Sequence, residues 1–591
     1  MPETGAREPS SVPDSDMRSP TRLGFRDWIY MLHIFGRRER AVLLLCLVLA
    51  LASGSSAAAL ILFEYTVEAP KAGGTLREGV LHSPKSINPL FISTNDTDRD
   101  LVALIYARLF HYDADGNLKP ELAEGYEISE DGKSYTVTLR QDAKWHDGTP
   151  LTADDVRFTV QTIQDPAFRS SLRANWQGVT IERLGEFRVR FVLKQPYSPF
   201  LQNLVLAIVP QHIWGKFTPE EAFLSSFNQK PIGAGPYRFE KLVLGENSEI
   251  TEYDLVANKD YFGGAPFIRR IEFHVANNED ALVSAYRADE INSIENVSMQ
   301  NIDELKNLGA NIYAVRIPQI FAIFLNETNP ILADKSLRQA LAMAIPKDEL
   351  IKKVLGGGAI AIETPIPPGT FGFNSNISPT PYDPERAKQT LEKLGWTDLN
   401  QDSLREKKSA KKGGEPTPLK ITLATSERKD LVDTLQEIKQ YWREIGVDTE
   451  INSFPINELN STIIRPRAYD ALLFGEILSR DPDLFAFWHS TQLKDPGLNI
   501  ALYHSKQVDA LLEEARRLTD RNQIRERYES FQKILDTDFP TIFLYSPTYY
   551  YASDSGVRGI NLKTLVLPSE RFFSISDWFI KTTRVFPPRK N

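Results

Sequence analysis

Between Ala41 and Phe63 the chain carries no charge for 23 residues, AVLLLCLVLALASGSSAAALILF, and this run decides where everything after it must go. Wound as a helix it is long enough to cross the hydrocarbon core of a bilayer. Arg37, Arg38 and Arg40 precede it, Arg22 and Arg26 lie further upstream, and Glu64 and Glu68 follow. This asymmetry predicts a cytoplasmic N-terminus, with the chain beyond residue 63 translocated. A retained signal anchor is the leading reading, because the run exceeds a signal-peptide core and a long segment precedes it. Its rivals are a cleaved signal peptide with a site in the small-residue stretch 52–59, a lipoprotein signal at Cys46, and a buried core helix. The lipoprotein signal wants a small residue before the cysteine, where Leu45 stands. Residues 1–21, rich in Pro, Ser and Asp, read as a disordered tail. Residues 22–40 mix Arg with Trp28, Tyr30, Ile34 and Phe35, giving either an interfacial helix or a plain juxtamembrane stretch.

Composition narrows what the translocated part is. With 591 residues there is room for three or four domains of about 150 residues. A net charge of −9 argues against a nucleic-acid binder. The single cysteine, Cys46, excludes a disulfide scaffold or a cysteine-built metal site, and reads as an apolar residue facing lipid. No repeat with a period of 20–50 residues is evident, which argues against solenoids and propellers.

After a linker at 64–70, strand-like and helical patterns alternate, which indicates an α/β class. Segments 135–139 and 187–193 alternate like strands, and TIFLY at 541–545 reads as a buried strand. Thr152 looks like the cap of a helix over 153–163 with Asp154 and Asp155 in its first turn. Residues 332–345, 430–445, 508–520 and 521–535 have helical spacing, and Leu431, Leu435, Ile438 and Trp442 share one face. Gly356-Gly357-Gly358 reads as a helix stop, and the lysine-bearing stretch 400–418 as a solvated loop or a basic contact loop.

Catalytic signatures are absent. None of the eight histidines lies in an H-E-x-x-H pair, and neither a G-x-S-x-G elbow nor a G-x-x-x-x-G-K-[ST] phosphate loop occurs. GAGPYR at 233–238 lacks the third glycine of a dinucleotide fingerprint. The expectation is a protein that is not an enzyme, with no catalytic residue, no metal ligand and no cofactor.

An ordered series of motifs then resembles a known family. Gly73-Gly74-Thr75-Leu76, SINPL at 86–90, the block from His111 to Thr159, PIGAGPYRF at 231–239, NKDYFGGAPFIRRIEF and AYRADEIN come first. SLRQALAMAIPKDELI, PIPPG, YDPERAKQTLEKLGW, YDALLFG, DALLEEARRLTD and FPTIFLY follow, so that the likeness covers roughly 71–550. These stretches resemble the extracytoplasmic solute-binding proteins of ABC importers, the peptide- and nickel-binding family 5. Read from the residues alone they are structural. Asp147-Gly148 is a turn, Trp145 a core aromatic, and Tyr382-Asp383-Pro384-Glu385 a helix start. His146 is either a hydrogen-bonded turn residue or a ligand-facing one. The glycines and prolines of 231–239 suit a chain crossing that needs unusual backbone angles.

The resemblance implies a type II periplasmic-binding-protein-like, two-lobed α/β fold of cluster C with an extra subdomain, behind one transmembrane helix at 41–63. Lobe I would be 71–110, 231–318 and 545–591, its appended subdomain 111–230, and lobe II 319–544. The implied function is to bind a short peptide in the interlobe cleft, close around it and deliver it to the permease, with ATP hydrolysed on separate subunits. Within the scaffold the alternatives are nickel or a metal chelate, oligosaccharide or another cationic solute. Presentation of ligand to a signalling receptor is a further rival, and an extracytoplasmic hydrolase the third. The chain is expected to be a monomer that contacts membrane and permease but no nucleic acid.

Site residues follow cautiously from the family. Its peptide-binding members carry, after the YD-x-x-x-x-G strand, an aspartate that pairs with the peptide's amino terminus. Here that strand ends in Phe474 and Gly475, the usual Trp is Glu476, and the acidic position falls on or near Leu478. Glu476 either replaces the missing anchor or is a rim residue paired with a neighbour such as Arg480. Asp481, before Pro482, is a turn residue or a second anchor. His82, Ser83 and Asn88 from the first cleft segment, with Asn175, Trp176, Asn326 and Arg465, complete the candidates. Trp176 and Arg465 have the competing readings of core and surface residue.

Overall fold

A computed structural model of the chain describes residues 36–91, 95–197, 199–409, 411, 414–518 and 520–586, with backbone alone at 58, 59 and 61–63. The expected disordered tail and most of the interfacial segment lie outside the described residues. The chain divides into two units, 1–69 with 582–591, and 70–581.

Among the described residues of the first unit one helix is present, Arg37–Tyr65. Its portion Arg37–Ala57 is long and apolar enough to cross a membrane by length and composition. Described leucines such as Leu44, Leu51 and Leu60 are exposed, and so is Cys46. The basic residues Arg37, Arg38 and Arg40 fall inside its first turn, so the helix starts ahead of the uncharged run.

A twelve-stranded mixed sheet runs through the second unit, and the long strand Thr541–Asp554 joins its two halves. The first part of that strand pairs antiparallel with Gln319–Leu325, placing Thr541 opposite Phe324. Its last part pairs with Ala310–Arg316, from Thr548 opposite Arg316 to Asp554 opposite Ala310. Both chains therefore pass from one half to the other over a few residues, 317–318 and 546–547. Pro318 and Pro547 sit in these passages, and each removes a backbone donor where the ladders change partner.

In one half the strand order is Asp448–Phe454, Lys420–Ser426, Ala471–Ile477, Gln319–Leu325 and Thr541–Asp554. Gln319–Leu325 is apolar at six successive positions because both its faces are covered. Ile320, Ala322 and Phe324 enter a core shared with helices Lys506–Arg517 and Arg521–Asp538. Phe321, Ile323 and Leu325 enter the opposite core with helices Lys335–Met343 and Lys429–Glu444. Leu431, Leu435, Ile438 and Trp442 form the buried stripe of the last helix, as their spacing predicts.

In the other half, Thr75–Val80 lies between Ser293–Ile294 and Arg270–Val275, followed outward by Ile250–Ala257 and Tyr237–Leu244. A separate four-stranded antiparallel sheet, Ala123–Ile128, Ser134–Leu139, Arg188–Val192 and Thr180–Gly185, shares its core. Helix Ala153–Gln164 packs there, and Thr152 caps it: its hydroxyl accepts from the Asp154 amide while Asp155 accepts from the Thr152 amide.

The PIGAGPYRF stretch departs from expectation. Gly233 and Gly235 have no positive φ. They are glycine because a Cβ at either would strike the 104–105 backbone, at 1.9 Å from the Ile105 carbonyl oxygen in the case of Gly233. His146 joins this stretch to the KWHDG turn: Nδ1 accepts from the Gly233 amide at 3.2 Å and Nε2 donates to the Gly235 carbonyl at 3.1 Å. Burial lowers its pKa to about 4, so the imidazole is a neutral structural link. Asp383 caps helix Pro384–Lys393, and Gly356 ends helix Lys347–Leu355 in the left-handed region at φ 61°. Within the described part of 400–418, Glu406–Lys407 and Thr417–Pro418 form a small sheet with Trp396–Thr397.

Candidate functional site

Where the two sheet halves face one another a cavity of about 940 Å³ opens, and its walls come from distant parts of the chain. The crossing strand supplies Ala314, Arg316, Ile317 and Pro318, and the 319–544 segment supplies Phe371, Arg480, Asp481 and Arg521. Tyr112, Asp115, Tyr126, Leu201, Lys563 and Thr564 close the other side. The volume lies at the upper end of the ~300–1,000 Å³ typical of small-ligand sites.

Loop 478–483, which leaves strand Ala471–Ile477, holds the two sides together. Arg480 Nη1 donates to Thr564 Oγ1 at 2.7 Å, and Nη2 donates to the Thr564 carbonyl at 3.0 Å and to Glu570 Oε2 at 2.8 Å. Its guanidinium also stands 4.7 Å over the Tyr112 ring. The Tyr197 hydroxyl donates to Asp483 at 2.8 Å, and Gln202 Nε2 donates to the Asp481 carbonyl at 2.5 Å. Asp483 is held in turn by Arg516, and Asp481 by Arg521 at 2.6 Å. Burial pushes the Glu570 carboxyl up, and the Arg480 charge opposes that rise. The strap 563–570 that receives Arg480 is itself anchored by Arg571, which is fully buried. Arg571 donates to both oxygens of Asp100 and to Glu78 Oε1 at 2.8 Å, with Glu295 at 3.6 Å. Three carboxylates around one guanidinium cannot all stay ionised without water. Burial accordingly lifts Asp100 to about 6 and Glu295 well above the carboxylate range.

Of the sequence candidates, Asp481 lines the interlobe cavity, and its carboxylate is engaged by Arg521. Glu476 does not line it. Alternation in Ala471–Ile477 puts Glu476 on the face of Leu472 and Phe474, opposite Ile320, at 5% exposure. Its Oε2 has no hydrogen-bond partner among the described residues, and burial raises its pKa to about 8. The expected pairing with Arg480 is replaced by Glu570, because the loop turns Arg480 across the cleft. Leu478 is a core residue, Phe474 is half-buried, and Gly475 packs on the Phe321 ring, where a Cβ would come within 2.6 Å.

Asn88, Asn175 and Trp176 meet at a second, smaller and mainly apolar cavity of about 250 Å³. There Trp176 is buried against Phe191 and Phe200. Asn88 is also buried, donating to Asn228 at 3.0 Å and accepting from the Leu90 amide. Ser83 accepts from the Ile250 amide, and His82 is exposed. Asn326 is a turn residue, donating to the Tyr469 carbonyl and accepting from Thr328. Arg465 lies at the surface, 3.7 Å from Asp495. None of these last four lines the larger cavity. Arg316, Arg480, Arg521 and Lys563 were not among the candidates. The nearest signal is the charge-rich run Arg480-Asp481-Pro482-Asp483 following an apolar strand, a pattern for a strand end that reaches across a cleft.

Comparison with known proteins places this geometry. Oligopeptide-binding protein AppA of Bacillus subtilis (strain 168) is 28% identical over 524 residues, covering 86% of this chain and 92% of that protein. The structure of the Bacillus subtilis AppA in complex with a nonapeptide shares 28% identity and a TM-score of 0.72 over 87% of this chain and 100% of that one. NikZ from Campylobacter jejuni in complex with Ni(L-His) shares 26% identity and a TM-score of 0.71, over 85% and 99%. Residues 117–499 match the family described as bacterial extracellular solute-binding proteins, family 5 Middle. That match takes in the four-stranded sheet, the crossing strand Ala310–Arg316 and the loop from which Arg480 reaches Thr564 and Glu570. With a mixed α/β fold, two lobes and a walled cavity between them, the chain belongs to the bacterial extracellular solute-binding proteins of family 5.

Proposed function

We propose that this protein is the membrane-anchored, non-catalytic binding component of an ABC importer and takes a short peptide between its lobes. The observation that carries the reading is the cavity of about 940 Å³ walled from both sides of the crossing strands. The similarity over 87% of the chain to a protein solved with a nonapeptide supports it. Lobe I is 71–110, 231–318 and 545–591, with 111–230 appended, and lobe II is 319–544. The change of strand partners at 317–318 and 546–547 supports these limits. Ligand held in the cleft favours the closed arrangement, and the closed surface is what the permease reads. Helix Arg37–Tyr65 holds the protein, as a monomer, at the outer face of the membrane.

Native mass spectrometry of the full chain, released from detergent, tests the reading. Peptides of a few residues are expected to co-purify, and random tetrapeptide pools to bind. Retention of a metal chelate with no peptide bound would favour the second reading, which the Ni(L-His) complex of the Campylobacter relative supports. Extraction of the chain from membranes by carbonate would sink the anchor.

A further inference from the structure

The charges on the interlobe cavity do not balance. Its wall carries the cations Arg316, Arg480, Arg521 and Lys563 against the anions Asp115 and Asp481. Three of the cations are spoken for: Arg480 by Glu570 at 2.8 Å, Arg521 by Asp481 at 2.6 Å and Lys563 by Asp115 at 2.8 Å. Those pairs also consume both anions of the wall. Arg316 has no side-chain hydrogen bond or ion pair with any described residue. Its placement is fixed all the same, because its backbone pairs with Thr548 and bridges to Thr564. Strand alternation turns Ala314 and Arg316 to one face, both on the cavity, while Val315 is buried in the core. The guanidinium of Arg525, 5.6 Å over the ring of the wall residue Phe371, adds to the positive field.

We infer that Arg316 is the ligand anchor of this cavity and that it selects a carboxylate, in a peptide the free C-terminus. The inference deepens the peptide reading proposed above and rests on it. A planar guanidinium presents paired donors that match the two oxygens of a carboxylate, and a walled cleft strengthens the attraction over that in water. Arg316 also lies beside the Ile317-Pro318 passage, where the chain moves from one sheet half to the other. A carboxylate bound there lies at the root of the cleft, so both lobes are free to close over the rest of the ligand. An acidic side chain carries the same group, and the test separates the two sources.

The full chain in detergent is titrated with equimolar random tetrapeptide pools, lacking Asp and Glu, made as free acids and as C-terminal amides. Bound species are counted by native mass spectrometry. The free acids are expected to bind about 10- to 100-fold more tightly, the range of one charge-assisted pair. Arg316→Gln is expected to bring acids and amides to equal, weak binding, and Arg316→Lys to keep part of the preference. An amide pool containing Glu that binds as tightly as the acids assigns the side-chain carboxylate and overturns the C-terminal assignment. Equal binding of acids and amides by the unmodified chain overturns the inference while the peptide reading stands. So does a preference that survives Arg316→Gln. Binding of neither pool overturns both. Arg316 is exposed, so an unchanged melting temperature of the ligand-free Arg316→Gln chain is the check that it folds.

Discussion

Arg480→Ala should weaken ligand binding without touching the ligand. Arg480 makes three hydrogen bonds across the cleft, and its side chain and that of Glu570 are only 13% and 11% exposed. If the proposed lobes part on release of ligand, both groups return to water, and the contact then belongs to closure and not to the fold of either lobe. Truncating one partner of a nearly buried, hydrogen-bonded charge pair costs about 2–5 kcal/mol, much of it from the charge left behind. Glu570 keeps the Val566 amide as a donor, which places the expected cost at the lower end, about 2–3 kcal/mol. If ligand binds the closed form, that cost appears as an affinity lower by about 30- to 150-fold. Titration calorimetry of the full chain with the peptide it co-purifies with measures the loss, and small-angle scattering reads the lobe separation. Arg480→Ala should open the liganded protein. Adding Glu570→Gln should restore part of the affinity, since no unpaired carboxylate then remains. An affinity within threefold of the unmodified protein, with unchanged scattering, would refute the latch. A double variant worse than Arg480→Ala alone would refute the unpaired-charge account.

Four further outcomes are expected. The Glu476 pKa rises from 4.5 to about 8, so the folded protein binds more protons than the unfolded chain between those values. Its contribution is full below about 4.5 and is lost as pH rises through about 8. At 1.36 kcal/mol per pH unit this is at most about 5 kcal/mol. Glu476→Gln should flatten the fall of melting temperature between pH 5 and 9, and an unchanged slope would refute the burial account. In the buried cluster, burial raises the Glu295 carboxyl, so Glu295→Gln, which removes a charge that burial disfavours, should be better tolerated than loss of the arginine. Arg571→Leu strands Glu78 and Asp100 and should cost about 3–5 kcal/mol in denaturant melts. Trp176→Ala removes a core aromatic and should cost about 3–5 kcal/mol of stability. Its acid-to-amide preference should be unaltered, and a changed preference would make Trp176 part of the site.

What the sequence made legible was local. A cap and its partner lie three residues apart, as in Thr152 and Asp155. A helical stripe repeats every three or four, as in Leu431, Leu435, Ile438 and Trp442. Such pairs are close in space because they are close in the chain, so spacing alone reveals them. The contacts that build the cleft have no such signature. Glu78 and Arg571 are separated by 493 residues, Tyr197 and Asp483 by 286, Arg480 and Glu570 by 90. Nothing in the local pattern of either partner points to the other. The motif series supplied the scaffold in which those partners meet, but not which charges stay free once they have met.

Glu476 and Arg316 show the difference most sharply. Glu476 replaces the residue expected after Gly475, and an acid beside a cleft suggests an anchor for an ammonium group. Yet the period of two already decides its direction. If Leu472 and Phe474 face the core, Glu476 must face it too. A carboxyl so placed is kept protonated at neutral pH by its own burial and holds no charge to offer a ligand. The same period, applied to Ala310–Arg316, sends Val315 inward and Arg316 outward, at the point where the chain crosses between the halves. With every other charge of the wall paired, the cleft presents a cation in place of the expected anion. Recognition then starts from the acidic end of the ligand, the reverse of what the residue after the glycine suggests.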